Sequence, residues 1–159
     1  MDKTTLIQRI VGRLREDFDL QVRAAALARD EATNEESRAE NKYDTRGQEA
    51  AYLAEGQARL AAEIEQSINL YHALPADPFP PDAPAALGAL IETVSARGVR
   101  SWFFLGPRSG GLELEIEGQH VLVVTPASPL GRQLLGRRVG DQLTLPGKPS
   151  APATVVAVQ

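Results

Sequence analysis

With 159 residues, 43% of them hydrophobic, and a net charge of -4, the chain has the composition of a folded, water-soluble protein of one ordinary domain or two small ones. It contains no Cys, which removes disulfides, thiolate nucleophiles and thiolate metal sites together. No apolar run reaches the roughly 20 residues of a membrane span, and Met1–Leu6 lacks the apolar run of a signal peptide, so the expected location is the cytoplasm, with no membrane partner. The acidic balance argues against tight independent binding to nucleic acid, which wants a basic face.

Residues 4–32 carry helical periodicity, with Ile7, Val11, Leu14, Phe18, Val22 and Ala25 at three- and four-residue steps. Ala24, Ala25, Ala26 and Ala28 are small enough to let a partner helix approach closely. A second helix is expected from about Ser37 to His72, with a seam of Leu53, Leu60, Ile64, Ile68 and Tyr71. Two amphipathic helices joined by a short polar turn bury their stripes against each other, so residues 1–74 read as an antiparallel α-helical coiled-coil hairpin. At about 1.5 Å per residue its arms form a rod roughly 40 Å long, too narrow to enclose a pocket.

Residues 75–84 hold Pro75, Pro78, Pro80, Pro81 and Pro84, a stiff extended linker. Beyond it the period changes to two. Leu90–Ser95, Arg100–Leu105, Val121–Thr125 and Thr154–Val158 read as strands, with weaker candidates at Leu112–Ile116 and Leu143–Leu145. One short helix interrupts them: Ser128 suits the N-cap, Pro129 the first helical position and Gly136 the stop. In it, Leu130, Leu134 and Leu135 are expected to pack on the sheet, with Arg132 and Gln133 outward. The fold class is therefore α+β in two domains, the second being a compact antiparallel sheet over 85–159 with one helix on one face.

The chemistry-bearing feature is the tip of the hairpin, near 33–44. From Asp30 to Asp44 six carboxylates face two cations, an excess of four that equals the net charge of the whole chain. Thr33–Glu36 and Ser37–Glu40 each fit a capping box, in which Glu36 or Glu40 only completes a helix start. Against that stands the spacing. Glu36, Glu40 and Asp44 fall at i, i+4 and i+8, and like charges so placed cost an isolated helix roughly 0.2–0.5 kcal/mol per pair. Arg38 and Lys42 repeat the unfavourable pattern on another face. Clustered carboxylates suit a hard, oxygen-seeking ion such as Mg²⁺, but so few make a poor site alone, and a partner has to supply the remaining ligands.

Nucleophilic catalysis finds little support. His72 and His120 lie in different domains and read as surface or packing residues. Gly106–Gly111 lacks the Lys-Ser/Thr ending and following helix of a phosphate loop and reads as a hairpin connection.

The segment Ser128-Pro129-Leu130-Gly131-Arg132-Gln133-Leu134-Leu135-Gly136-Arg137-Arg138-Val139-Gly140-Asp141 resembles the Ser-Pro-Leu/Ile-(Gly/Ala)-Arg-x-Leu-(Leu/Ile)-Gly-Lys-x-x-Gly-Asp segment of the Gre transcript-cleavage factors of bacterial RNA polymerase. Glu40-Asn41, with Tyr43 close behind, is similar to that family's tip. The resemblance covers nearly the whole chain and implies an FKBP-like second domain. It also implies a monomer that is not itself an enzyme. Ser128, Pro129, Leu130, Gly131, Arg132 and Gln133 would dock on the polymerase at its secondary channel. The tip acids Glu36, Glu40 and Asp44 would act in trans on an Mg²⁺ shared with the polymerase, promoting hydrolysis at the 3′ end of backtracked RNA. One departure stands out: the family's second tip acid precedes the Glu by three residues, where this chain has Ser37, with Glu36 one residue earlier. A Gre-like inhibitor of the same channel is one alternative. A prolyl isomerase is another; it needs an aromatic pocket, for which only Phe79, Trp102, Phe103 and Phe104 are on offer.

Overall fold

The computed structural model describes residues 1–34, 45–80, 82–145 and 152–159. Two long helices come first, α1 (Lys3–Thr33) and α2 (Arg46–His72). Strands β1 (Leu90–Ser95), β2 (Arg100–Leu105), β3 (Glu113–Ile116) and β4 (Gln119–Val124) follow, then helix α3 (Pro129–Leu134) and strands β5 (Gln142–Thr144) and β6 (Pro152–Val158). The chain divides into two compact units, one of Met1–Ile10 with Leu70–Gln159, the other of Val11–Asn69. The proline-rich segment thus lies inside the first unit.

In the hairpin unit, α1 behaves as its periodicity predicts at Val11 and Leu14, which are buried, and Ala28 is buried toward its other end. On α2 the seam differs from the expected one. Ala50, Ala54 and Ala61 are buried, whereas Leu53 and Leu60 stand 54% and 44% exposed. The expected seam mixed two helix faces: Leu53 and Leu60 each sit one residue, or about 100°, ahead of the buried alanines. Close approach of two helices selects small side chains, and hydrophobicity alone points to the larger ones. Val22, expected inside, is likewise 44% exposed. The seam also takes in Gln21 and Gln57, seven residues from Leu14 and Ile64, and their Oε1 atoms are buried without a hydrogen-bond partner.

The described part of α2 begins at Arg46, with Thr45 its non-helical boundary, and the expected start at about Ser37 lies outside the described residues. The Thr45 carbonyl accepts from Glu49 N–H at 2.9 Å and its hydroxyl meets the Glu49 carboxylate at 2.9 Å. A Thr that satisfies the first turn locally competes with continuation of the helix toward the N-terminus.

The sheet unit has six strands in the order β3-β4-β2-β1-β6-β5. Its pairs are antiparallel except β2 with β4, which run parallel from Trp102 opposite Val121 to Leu105 opposite Val124. The expectation of a purely antiparallel sheet is therefore corrected at this pair, as is the reading of Gly106–Gly111 as a hairpin connection. That loop carries the chain past the place of β4 to the edge strand β3. The hairpin is β3–β4, closed by Glu117-Gly118 with both φ positive. Because β3 makes the return journey, two parallel neighbours are joined without a crossover helix.

Each strand alternates, so the sheet buries both faces. Ile91, Phe103, Leu105 and Val124 join Leu130 and Leu134 of α3 in one core, with Leu143, Ala153 and Val155. On the other face Phe104 stacks on the Tyr71 ring, 6.4 Å between centroids. Phe103 and Phe104 thus point to opposite faces, as their adjacency on one strand requires. The proline-rich segment is tied down twice within this unit. The Lys3 ammonium donates to the Asp77 carbonyl and lies 4.7 Å from the Phe79 ring centroid. Arg138 donates to the Asp82 carbonyl. Burial pulls the Lys3 amine below its usual range, partly offset by Asp77.

Candidate functional site

The segment from Ser128 to Asp141 is built almost residue by residue from local chemistry. Ser128 has extended backbone, and its Oγ accepts from Gly131 N–H at 3.0 Å while donating to the Thr125 carbonyl at 2.8 Å. This N-cap turns the chain so sharply that a Cβ on Gly131 would run into the Thr125 carbonyl group, 2.7 Å from its carbon. Only glycine fits. Pro129 fills the first helical position, where no N–H is needed. Leu130 and Leu134 point into the core. Gly136 stops the helix with a positive φ and donates to the Ala85 carbonyl at 2.7 Å. Arg138 N–H donates to Asp141 Oδ2 at 2.9 Å.

Two expected orientations are revised. Gln133 is half-buried, because its Oε1 accepts Thr144 N–H at 3.0 Å and so fastens α3 to β5. Leu135 is 47% exposed: α3 ends at Leu134, and the Leu135 backbone leaves the helix at ψ 128°. Arg132 is exposed as expected, its guanidinium donating to the Ala127 carbonyl at 2.8 Å. Once the fold has used the rest, Pro129, Arg132, Leu135, Arg138 and Val139 remain on the surface. Leu87, 42% exposed, joins them, since Ala85 exchanges hydrogen bonds with Arg137 and Gly136. Leu87 and Val139 were not picked out from the sequence, and Leu135 was expected to pack on the sheet. The available signal was the i, i+4 spacing of Leu135 and Val139 on a segment too short to bury both.

The tip residues Glu36, Glu40 and Asp44, the Ser37–Glu40 capping box and Glu40-Asn41 lie outside the described residues, while Thr33, the cap residue expected of the other box, is the last residue of α1 and donates its hydroxyl back to the Arg29 carbonyl at 3.0 Å. Among the described residues no group of three His, Asp or Glu side chains could hold a metal ion. His72 and His120 are both exposed, on α2 and β4. A cavity of about 320 Å³ is lined by Glu92, Arg100 and Trp102 with Met1, Glu117 and Gln119. There the buried Glu92 carboxylate is already taken by Arg100, whose guanidinium it holds above its ordinary value by hydrogen bonding and charge. No helix among the described residues is long and apolar enough to cross a membrane.

No family model and no curated protein matches the chain. Solved structures do. The GreA factor homolog 1 (Gfh1) of Thermus thermophilus is 21% identical, covering 98% of this chain and 93% of that one, with a TM-score of 0.39. The Thermus aquaticus Gfh1 is 25% identical over 99% of this chain and 94% of that one, with a TM-score of 0.40. A GreA/GreB elongation factor from Nitrosomonas europaea is 20% identical over 65% of this chain and 79% of that one, at 0.39. The similarity spans nearly the whole chain for the Gfh1 structures and about two thirds of it for the GreA/GreB factor.

Proposed function

We propose that this protein is a Gre-like accessory factor of bacterial RNA polymerase. The observation that carries the reading is the Ser128–Asp141 segment. Its Ser cap, close-packed Gly131 and buried leucines hold one rigid presentation of Arg132, Leu135 and Val139 to a partner. The sheet unit docks through this surface, and the hairpin enters the secondary channel.

In the sequence the acidic residues fall between α1, which ends at Thr33, and α2, which begins at Arg46, and this supports a role at the far end of the hairpin. Their donor set is all carboxylate, which suits a hard divalent ion such as Mg²⁺. Glu40 and Asp44, with Glu36, supply part of a site that polymerase carboxylates complete. An ion held there would supply Lewis-acid stabilisation for phosphodiester hydrolysis in backtracked RNA. The catalytic centre is the polymerase's own, and this chain is not an enzyme by itself.

An inhibitory mode uses the same channel, and one observation favours it: Ser37 stands at the position of the family's second tip acid. Glu36, one residue earlier in the sequence, is out of that register, which favours chelation or obstruction over two-metal cleavage. Stalled elongation complexes carrying end-labelled RNA separate the modes. Shortened transcripts support cleavage, slowed extension without shortening supports inhibition, and no binding to polymerase removes both.

A further inference from the structure

The hairpin unit exposes four leucines that its own fold does not use. Leu20, Leu27, Leu53 and Leu60 are 58%, 71%, 54% and 44% exposed, beside a seam filled by Ala28, Ala50, Ala54 and Ala61. Their side of the hairpin follows from the opposite groove. That groove is lined by Val22, Ala26 and Arg29 of α1 and Ala58, Ala62 and Glu65 of α2, each one residue after a seam position. The four leucines each come one residue before a seam position. All four therefore lie on the side away from the groove. Within each helix the two leucines stand seven residues, or about 10 Å, apart.

Between them, at positions Ala24 and Gly56, the surface has a floor of small residues. Gly56 lies in the interior of α2, has no positive φ, and has nothing within 4 Å of where a Cβ would stand. Glycine weakens a helix relative to alanine, and nothing in the hairpin needs the missing methyl. Four leucine walls around a glycine notch describe a slot shaped for something outside the unit.

The rim states what kind of group enters. The charged residues on this side are Asp17, Glu31, Glu49 and Glu63 against Arg13 and Arg46. Arg13 pairs with Asp17 at 3.5 Å and lies 3.8 Å from Glu16, so that pair cancels and Glu31, Glu49 and Glu63 stand against Arg46. The rim is net acidic, so a second copy of this chain would set carboxylates against carboxylates. Four partly exposed leucines also fall well short of the roughly 800 Å² per partner of a stable interface. Such a patch works as a second contact with a macromolecule held elsewhere, where linkage raises the local concentration.

We infer that this leucine slot docks a basic, apolar-centred helix of the protein that the sheet unit engages. The inference rests on the reading that this protein is RNA polymerase. Fluorescence anisotropy of the labelled full chain titrated with core polymerase tests it, using wild type, Leu27→Gln/Leu53→Gln, and Gly56→Ala. The double variant is expected to bind about tenfold more weakly with unchanged helical circular dichroism. Gly56→Ala is expected to melt at higher temperature and yet bind more weakly, a split that a purely structural residue does not produce. Wild-type affinity in both folded variants overturns the slot and leaves the functional reading standing. A wild-type chain that does not bind overturns the functional reading and the slot with it. A concentration-dependent dimer in sedimentation that the leucine substitutions abolish replaces the polymerase helix with a second copy.

Discussion

Replacing Tyr71 with Phe isolates the contact that fastens the end of α2 to the sheet within the first unit. Tyr71 is fully buried, stacks on Phe104, and donates its hydroxyl proton to the Arg108 carbonyl at 2.7 Å. The change keeps the ring and removes the donor, leaving a carbonyl in a part-buried site without that partner. A lost hydrogen bond with one partner left behind costs on the order of 1–2 kcal/mol. For a chain of this size that lowers Tm by about 3–6 °C. Trp102, the single tryptophan and a member of the same unit, reports the transition by fluorescence in urea. The phenol supplies a second, independent signature. Burial pushes its pKa far above the ordinary tyrosine range, whereas the unfolded chain titrates near about 10. Above that pH the unfolded state has released a proton that the folded state retains. Unfolding is then favoured, and the Tyr71 contribution, fully present below about pH 10, is lost as pH rises further. The stability difference between wild type and Tyr71→Phe should therefore be constant from pH 7 to 9 and shrink between 10 and 11.5. A difference below about 0.3 kcal/mol at pH 7, or one independent of alkaline pH, would refute the reasoning.

Gly131→Ala should destabilise the sheet unit by more than about 3 kcal/mol, because its Cβ overlaps the Thr125 carbonyl group; Trp102 fluorescence in urea measures it. Ser128→Ala, losing only the cap, should cost about 1 kcal/mol in the same assay. Gln21→Leu/Gln57→Leu should leave the hairpin as stable or more stable, since it removes two buried carbonyl oxygens without partners; helical circular dichroism on heating checks it. Arg132→Ala should leave stability within about 0.5 kcal/mol and weaken polymerase binding, as expected of an exposed docking residue.

Much of this fold was legible because its signals are local. The four firm strands, the Ser128 cap, Pro129 and the Gly136 stop are set by side chains within a few residues of where they act. What the sequence hid depends on distant neighbours. Leu53 and Leu60 look like core until the partner helix is close enough to admit only alanine. Leu135 looks like a helix residue until Gly136 pairs with Ala85 across more than fifty residues. The parallel β2–β4 pair follows from β3 going to the edge, which no period-two pattern records. Of the candidate site, the Ser128–Asp141 segment was readable as a motif, but its division into structural and exposed residues needed the packing. Gln133 shows the limit: its polar side chain suggested a fully outward residue, and its Oε1 is tied to β5.

The central claim is that the tip carboxylates act on the polymerase metal. Stalled elongation complexes with end-labelled RNA, supplied with Mg²⁺ and the full chain, test it directly when wild type is compared with Glu40→Gln and Asp44→Asn. The account predicts that wild type alters the transcript pattern, by shortening or by slowed extension. It predicts that both variants lose this effect while keeping polymerase affinity and stability within about 0.5 kcal/mol. Full activity in both variants, or a stability loss of about 1 kcal/mol with near-normal activity as a helix cap would give, contradicts it.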